Sequence, residues 1–309
     1  MAISLICPTK DPDPWVTALR QGDASLDIRV WPDDHPREQV DFILTWAHPP
    51  GVFQQYPHLR VISSMGAGVD ALLQDLDIPP DVTIVRVVDD ALVAAMETYA
   101  IAAVMNHVRR FSDYSRQQQQ QQWQPLAALP IQSTSIGVMG LGQIGGAIAQ
   151  RLVSLGFPVR GWSRSPQKLT SIQSFHGDTA LPAFLAETQI LICVLPLTPH
   201  TRHILNAHTL AQLPPGAYLI NIARGDHLVE PELLTLLDNG HLAGACLDVF
   251  QTEPLPQTHP FWNHPQITIT PHIASVTQPV SVAPQIIDNY HRLQSHRPFL
   301  NPVDRRQGY

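Results

Sequence analysis

The chain is poor in charge and poor in cysteine. Only 15% of its 309 residues are Asp, Glu, Lys or Arg, and 19 basic against 26 acidic residues leave a formal charge of −7. Neutralising phosphates takes a basic face that such a composition does not offer, so neither nucleic acid nor an anionic membrane is expected as a partner. The three cysteines, Cys7, Cys193 and Cys246, are far apart and lie in apolar runs. That predicts buried thiols in a reducing compartment, with no disulfide framework and no metal cluster. Residues 1–15 lack a signal-length apolar core, and no apolar run approaches the ~20 residues of a membrane span. The densest run, 190–197, has strand length. The expectation is a soluble, cytoplasmic chain whose partners are small molecules.

What is present is apolar material in short periodic blocks. Hydrophobic residues make up 44% of the chain, enough for real cores, and the length suits two α/β domains sharing one cleft. Short apolar runs at 4–7, 28–31, 42–46, 61–63 and 83–88 alternate with polar or helical stretches, the mark of a parallel α/β layer. Residues 91–109 then read as a long apolar helix with Met96, Tyr99, Ala103 and His107 at helical spacing. A glutamine run, 117–122, leads into Trp123. It reads as an exposed helix end or arm, or more sharply as a subunit contact anchored by the Trp. Six further strands are expected at 136–139, 158–162, 190–195, 217–222, 243–249 and 267–270, and a closing helix at 282–293. Packing of that last helix on the first domain makes the domain discontinuous: 1–96 with 283–309 around 97–282.

Gly140-Leu141-Gly142-Gln143-Ile144-Gly145 lies between an expected strand and an expected helix. In a dinucleotide fingerprint the first glycine permits a tight turn, the second admits a pyrophosphate against backbone, and the third allows close packing. The helix N-terminus then faces the anion. About 20 residues further on, an NAD enzyme places a carboxylate on the ribose 2′-hydroxyl. Here stand Ser163, Arg164 and Ser165. With no carboxylate available, Ser163 and Arg164 are expected to hold a 2′-phosphate, which selects NADPH, with NAD as the alternative cofactor.

Three polar patches each follow a strand: Asn221 to Gly225, Asp248 to Pro254, and Thr270 to Ala274. Carboxyl ends of strands line the ligand crevice of an open α/β sheet, so Arg224, Glu253 and His272 are expected to converge. Reduction of a 2-oxo acid needs those types. His272 would protonate the oxygen that forms as hydride arrives, and Glu253 would orient its imidazole. Arg224 would bind the substrate carboxylate and polarise the keto oxygen. None of the three is persuasive alone among fifteen histidines; their joint placement carries the reading.

These motifs, with Leu195-Pro196-Leu197-Thr198-Pro199, Leu247-Asp248-Val249-Phe250 and Thr270-Pro271-His272, make the sequence resemble the D-isomer-specific 2-hydroxyacid dehydrogenase family over almost its whole length. Trp123 to Leu126, Gly161 to Arg164, and Val303 to Arg305 with Gly308 and Tyr309 resemble its bacterial glyoxylate/hydroxypyruvate reductase branch. The resemblance implies an α/β fold of two doubly wound domains, a Rossmann-type NAD(P)-binding domain and a flavodoxin-like substrate domain, in a homodimer. It implies reduction of glyoxylate to glycolate and of hydroxypyruvate to D-glycerate. Cofactor contacts are implied at Gly140, Gly142, Gln143, Ile144, Gly145, Ser163, Arg164, Leu195, Pro196, Ile222, Ala223, Asp248, His272 and Ala274. Substrate contacts are implied at Ala67 and Gly68 besides Arg224 and His272. Two departures stand out: residues 89–98 do not match the family wording closely, and the glutamine run is foreign to it. A dinucleotide-sensing interaction protein on the same fold, or a dehydrogenase for another small D-2-hydroxy acid, are the competing readings.

Overall fold

The computed structural model describes residues 2–308; Met1 and Tyr309, the latter part of the C-terminal likeness above, lie outside them. The chain divides into two compact units, Met1–Leu92 with Val276–Tyr309, and Val93–Ser275.

In the first unit β1 (Ala2–Ile6), β2 (Ile28–Val30), β3 (Val40–Thr45), β4 (Val61–Ser64) and β5 (Thr83–Val85) form a parallel sheet of order β2-β1-β3-β4-β5. This is the flavodoxin-like order. Strands β1 and β3 are buried along their whole length, as strands are when helices cover both faces of a parallel sheet. On one face Ile3, Leu5, Phe42 and Leu44 meet Trp15 and Leu19 of the helix Asp13–Gly22 and Val282, Ile286, Tyr290 and Leu293 of the helix Pro279–Gln294. Tyr290 sets its ring edge to Phe42, centroids 5.8 Å apart. The distant C-terminal helix therefore completes this core, which the strands and first helix would otherwise leave open to water.

The second unit holds β6 (Ile136–Met139), β7 (Val159–Ser163), β8 (Gln173–His176), β9 (Ile190–Cys193), β10 (Ala217–Asn221), β11 (Leu242–Leu247) and β12 (Ile267–Ile269), all parallel, in the order β12-β11-β10-β9-β6-β7-β8. Strand order reverses between β6 and β9, which opens a ligand crevice at their carboxyl ends. Sequence periodicity gave six of these seven strands. It missed β8, whose Gln-Ser-Phe-His has one apolar residue and sits half-exposed at the sheet edge; backbone pairing to β7 makes it a strand, not burial.

The long apolar helix expected at 91–109 is Asp90–Val108, 19 residues with a mean hydropathy of 1.3, long and apolar enough to cross a membrane although Asp90, Glu97 and Asn106 interrupt its apolar run. From Val93 onward the helix is part of the second unit. The Tyr99 hydroxyl bonds Thr270 Oγ1 at 2.5 Å, and His107 stacks on Tyr218 with centroids 4.0 Å apart. Burial, and then Arg110, push the His107 imidazole down to about 4, so it stacks as a neutral ring.

Asp34 is a fully buried carboxylate in the first unit. It accepts from Ser4 Oγ at 2.6 Å, from the Tyr56 hydroxyl, and from Arg37 Nε at 2.9 Å. Burial alone would raise its pKa, but these donors hold it below the ordinary carboxylate value. A depressed folded-state pKa contributes stability that is present above the unfolded value and lost as pH falls through the folded one. Asp34→Ala is expected to cost about 2–4 kcal/mol at neutral pH, because three donors lose their acceptor. Urea unfolding should show this gap narrowing as the pH falls below about 4; an equal gap at both pH values would contradict it.

Candidate active site

The glycine turn occupies the crevice. Gly140 follows β6 at φ +103°, and a Cβ on it would lie 2.8 Å from the Val194 carbonyl oxygen at the end of β9. A Cβ on Gly145 would sit 1.7 Å from the Gly140 oxygen. Both positions therefore exclude any side chain. Gly142 differs: nothing lies within 4 Å of its would-be Cβ. Gly142 and Gln143 are exposed, Ile144 is half-buried, and the helix Gln143–Ser154 begins there. Open space over bare backbone at a helix N-terminus fits a pyrophosphate. At the end of β7, Ser163 is buried and donates to the Ser165 carbonyl at 2.8 Å, while Arg164 is exposed. Leu195, Ile222, Ala223 and Ala274 are buried, and Pro196 is exposed.

Neighbouring strands β10, β11 and β12 deliver Arg224, Glu253 and His272 on three successive loops. The first two loops touch through backbone. A Cβ on Gly225 would lie 1.9 Å from the Phe250 carbonyl carbon and 2.4 Å from Gln251 N, so only glycine lets Arg224 approach the Glu253 loop. Buried Asn221 ties off the Arg224 loop, accepting from Ala223 N at 3.2 Å and donating to the Arg224 carbonyl at 3.0 Å.

Glu253 and His272 are paired directly, Oε2 to Nδ1 at 2.7 Å, each side chain about one-third exposed. Phe250 N donates to the other Glu253 oxygen at 2.9 Å. Burial would raise the Glu253 pKa, yet the His272 bond, the Phe250 N–H and the nearby His272 and Arg224 charges together hold it below its ordinary value. Glu253 is therefore an acceptor at neutral pH, Nδ1 carries the proton it accepts, and Nε2 is left to exchange a proton with a ligand. The tautomer follows from this network.

His272 itself adopts φ +53°. Asp248, 1% exposed, holds it there: its carboxylate accepts from Thr270 Oγ1 at 2.6 Å, Ile273 N at 2.9 Å and Ala274 N at 2.8 Å, and its carbonyl accepts from His272 N at 2.8 Å. Thr270 spends its one proton on Asp248, so the Tyr99 hydroxyl donates to it. Sequence reading placed Asp248 against the cofactor and gave Tyr99 and Thr270 no role; the structure shows all three anchoring the His272 loop. Ala67 and Gly68 lie in the first unit after β4, half-exposed, in a turn where Ser64 Oγ donates to the Gly68 carbonyl at 2.9 Å.

A seven-stranded doubly wound sheet, a glycine turn at its switch point and a carboxylate-paired histidine at adjacent strand ends define a dinucleotide-fold oxidoreductase. The chain belongs to the D-isomer specific 2-hydroxyacid dehydrogenase family, whose NAD binding domain matches residues 101–274. It is 42% identical to a glyoxylate/hydroxypyruvate reductase A of Serratia proteamaculans, covering 100% of both chains. A D-isomer specific 2-hydroxyacid dehydrogenase of Xanthobacter autotrophicus Py2, solved with NADPH and MES, superposes with a TM-score of 0.95 at 40% identity, over 100% of this chain and 99% of that one. An NADPH-dependent glyoxylate/hydroxypyruvate reductase of Sinorhizobium meliloti, solved with NADP and sulfate, gives 0.93 at 32% identity over the same shares.

Gly225→Ala tests the loop contact. The added methyl must displace Phe250 backbone, which costs about 1–3 kcal/mol or more, and should lower both the melting temperature and kcat/KM. Unchanged activity would mean that the two loops are not held by this approach.

Proposed function

We propose that this chain reduces small 2-oxo acids, glyoxylate to glycolate and hydroxypyruvate to D-glycerate, with NADPH. The observation that carries the reading is the 2.7 Å His272–Glu253 pair on the strand end next to Arg224. The named relatives and their NADPH-bound or NADP-bound crystals support the same reaction.

The Arg224 guanidinium binds the substrate carboxylate through its planar fork and draws electron density onto the keto oxygen. NADPH, when bound, supplies the hydride that reaches the keto carbon. His272 Nε2 gives its proton to the oxygen as the C=O bond becomes C–OH, and Glu253 stabilises the imidazolium that precedes this transfer. Solvent restores the proton. Gly142, Gln143 and Ile144 would take the pyrophosphate, and Ser163 with Arg164 the 2′-phosphate. Leu195, Pro196, Ile222, Ala223 and Ala274 would line the cofactor, and Ala67 and Gly68 would offer backbone to the substrate carboxylate. A cytoplasmic homodimer belongs to the same reading: three buried free thiols suit a reducing compartment, and Trp123, 98% exposed beyond the end of the helix Phe111–Gln119, has the character of an interface anchor.

His272→Gln should lower kcat by about 10²–10⁴ while NADPH, followed by its fluorescence, still binds. Retained turnover in the variant would remove His272 from the mechanism. For the cofactor, kcat/KM with NADPH is expected to exceed that with NADH by at least about tenfold, and Arg164→Ala should erase most of the difference. A native ratio near one refutes the assignment of Arg164.

A further inference from the structure

One fully buried histidine, His227, stands three residues after Arg224 and has no part in the chemistry above. Its ring lies between two ligand-facing loops. Nδ1 is 3.2 Å from Arg224 N, and Nε2 is 3.3 Å from the Pro196 carbonyl oxygen. Arg224 N–H can only donate, so Nδ1 accepts, and Nε2 carries the proton that goes to Pro196. The other tautomer would set two lone pairs against each other at Pro196 and leave Arg224 N–H without this acceptor. The Arg224 carbonyl, also 3.2 Å from Nδ1, takes its bonds from Asn221 Nδ2 and His227 N instead. The two loops are laced nearby as well: Leu205 N donates to the His227 carbonyl at 2.8 Å, and Arg202 pairs with Asp226 at 2.6 Å.

We propose that His227 is a positioning residue that sets the substrate-binding guanidinium of Arg224, by clamping the Arg224 backbone to the loop that begins at Leu195. The proposal rests on the assignment of Arg224 to the substrate carboxylate. A guanidinium on a long side chain binds bidentately only if its root is fixed, and small displacements of a positioning group cost substrate binding and rate. Asn221 fixes the carbonyl side of Arg224. His227 fixes the amide side, which makes a reciprocal turn resembling a capping box.

Two amide substitutions separate the ring nitrogens. In His227→Asn the side-chain oxygen can take the place of Nδ1 and accept from Arg224 N–H; in His227→Gln the side-chain NH₂ can take the place of Nε2 and donate to Pro196. His227→Asn is expected to keep the glyoxylate KM within about twofold of native, while His227→Gln raises it about tenfold with a smaller change in NADPH affinity. A long-range ¹H–¹⁵N spectrum of the native enzyme should show the Nε2–H tautomer for this imidazole. The inference is overturned by an Nδ1–H tautomer, or by Asn and Gln variants with equal glyoxylate KM however far their melting temperatures fall. Arg224→Ala is the parallel control: an unchanged KM there would refute the role of Arg224 itself, whereas a raised KM there with equal His227 variants refutes only the clamp.

Discussion

The buried carboxylate of Asp248 holds the loop that carries His272. A left-handed backbone at a residue with a Cβ costs of the order of 1–2 kcal/mol, and His272 sits at φ +53°. Three donors on Asp248, from Thr270, Ile273 and Ala274, offset that cost because each is a hydrogen bond to a charged acceptor in a water-poor setting. A carboxylate so buried would be expensive without them. The charge needs the loop's N–H groups, and the loop needs the charge to hold its shape, so neither is stable alone. The Tyr99 hydroxyl extends the dependence to the helix Asp90–Val108.

Each of the other loops has its own anchor, and the anchors differ in kind. Glycine at 225 brings the Arg224 loop within backbone contact of Phe250, while Asn221 caps the same loop through its amide. Glu253 is fixed from one side by Phe250 N–H and from the other by His272. Its carboxylate thus serves two ends: it orients the imidazole and it spends a second oxygen on its own loop. Both Glu253 oxygens have partners within the chain itself, the preorganisation that the proton transfer proposed for His272 calls for.

Much of this was legible in the sequence because it depends on local spacing. The glycine turn is a hexapeptide, and its predicted role depends on flanking strand and helix that are themselves periodic. Arg224, Glu253 and His272 each follow a strand, and the rule that strand ends share a crevice places them together. The anchors were not legible. Tyr99 meets Thr270 across 171 positions of chain, and no spacing announces such a contact. His227 is one of fifteen histidines, and only burial with two backbone partners separates it from the rest. Strand β8 failed for the opposite reason: an edge strand needs no apolar alternation when its partner supplies all the hydrogen bonds. The helix Asp90–Val108 was legible both as a helix and as a long apolar one, because its spacing is local.

The missed strand bears on the proposed cofactor contact as well as on the sheet. Ser163 pairs with His176 of β8, Gly177 N donates to the Ser163 carbonyl at 3.1 Å, and Trp162 Nε1 donates to the Gly177 carbonyl at 2.9 Å. The end of β7 is therefore held on its outer side by β8, and Ser163 closes a small turn onto Ser165. That geometry presents Arg164 at the tip of a braced turn at one end of the sheet, while the Glu253–His272 pair follows β11 and β12 at the other. The turn proposed to hold the 2′-phosphate and the Asp248 bonds that hold the His272 loop thus belong to opposite ends of the sheet. On the proposed reading, cofactor choice rests on one exposed residue, whereas the proton transfer proposed for His272 rests on a buried carboxylate, a glycine contact and a left-handed backbone that must be kept together.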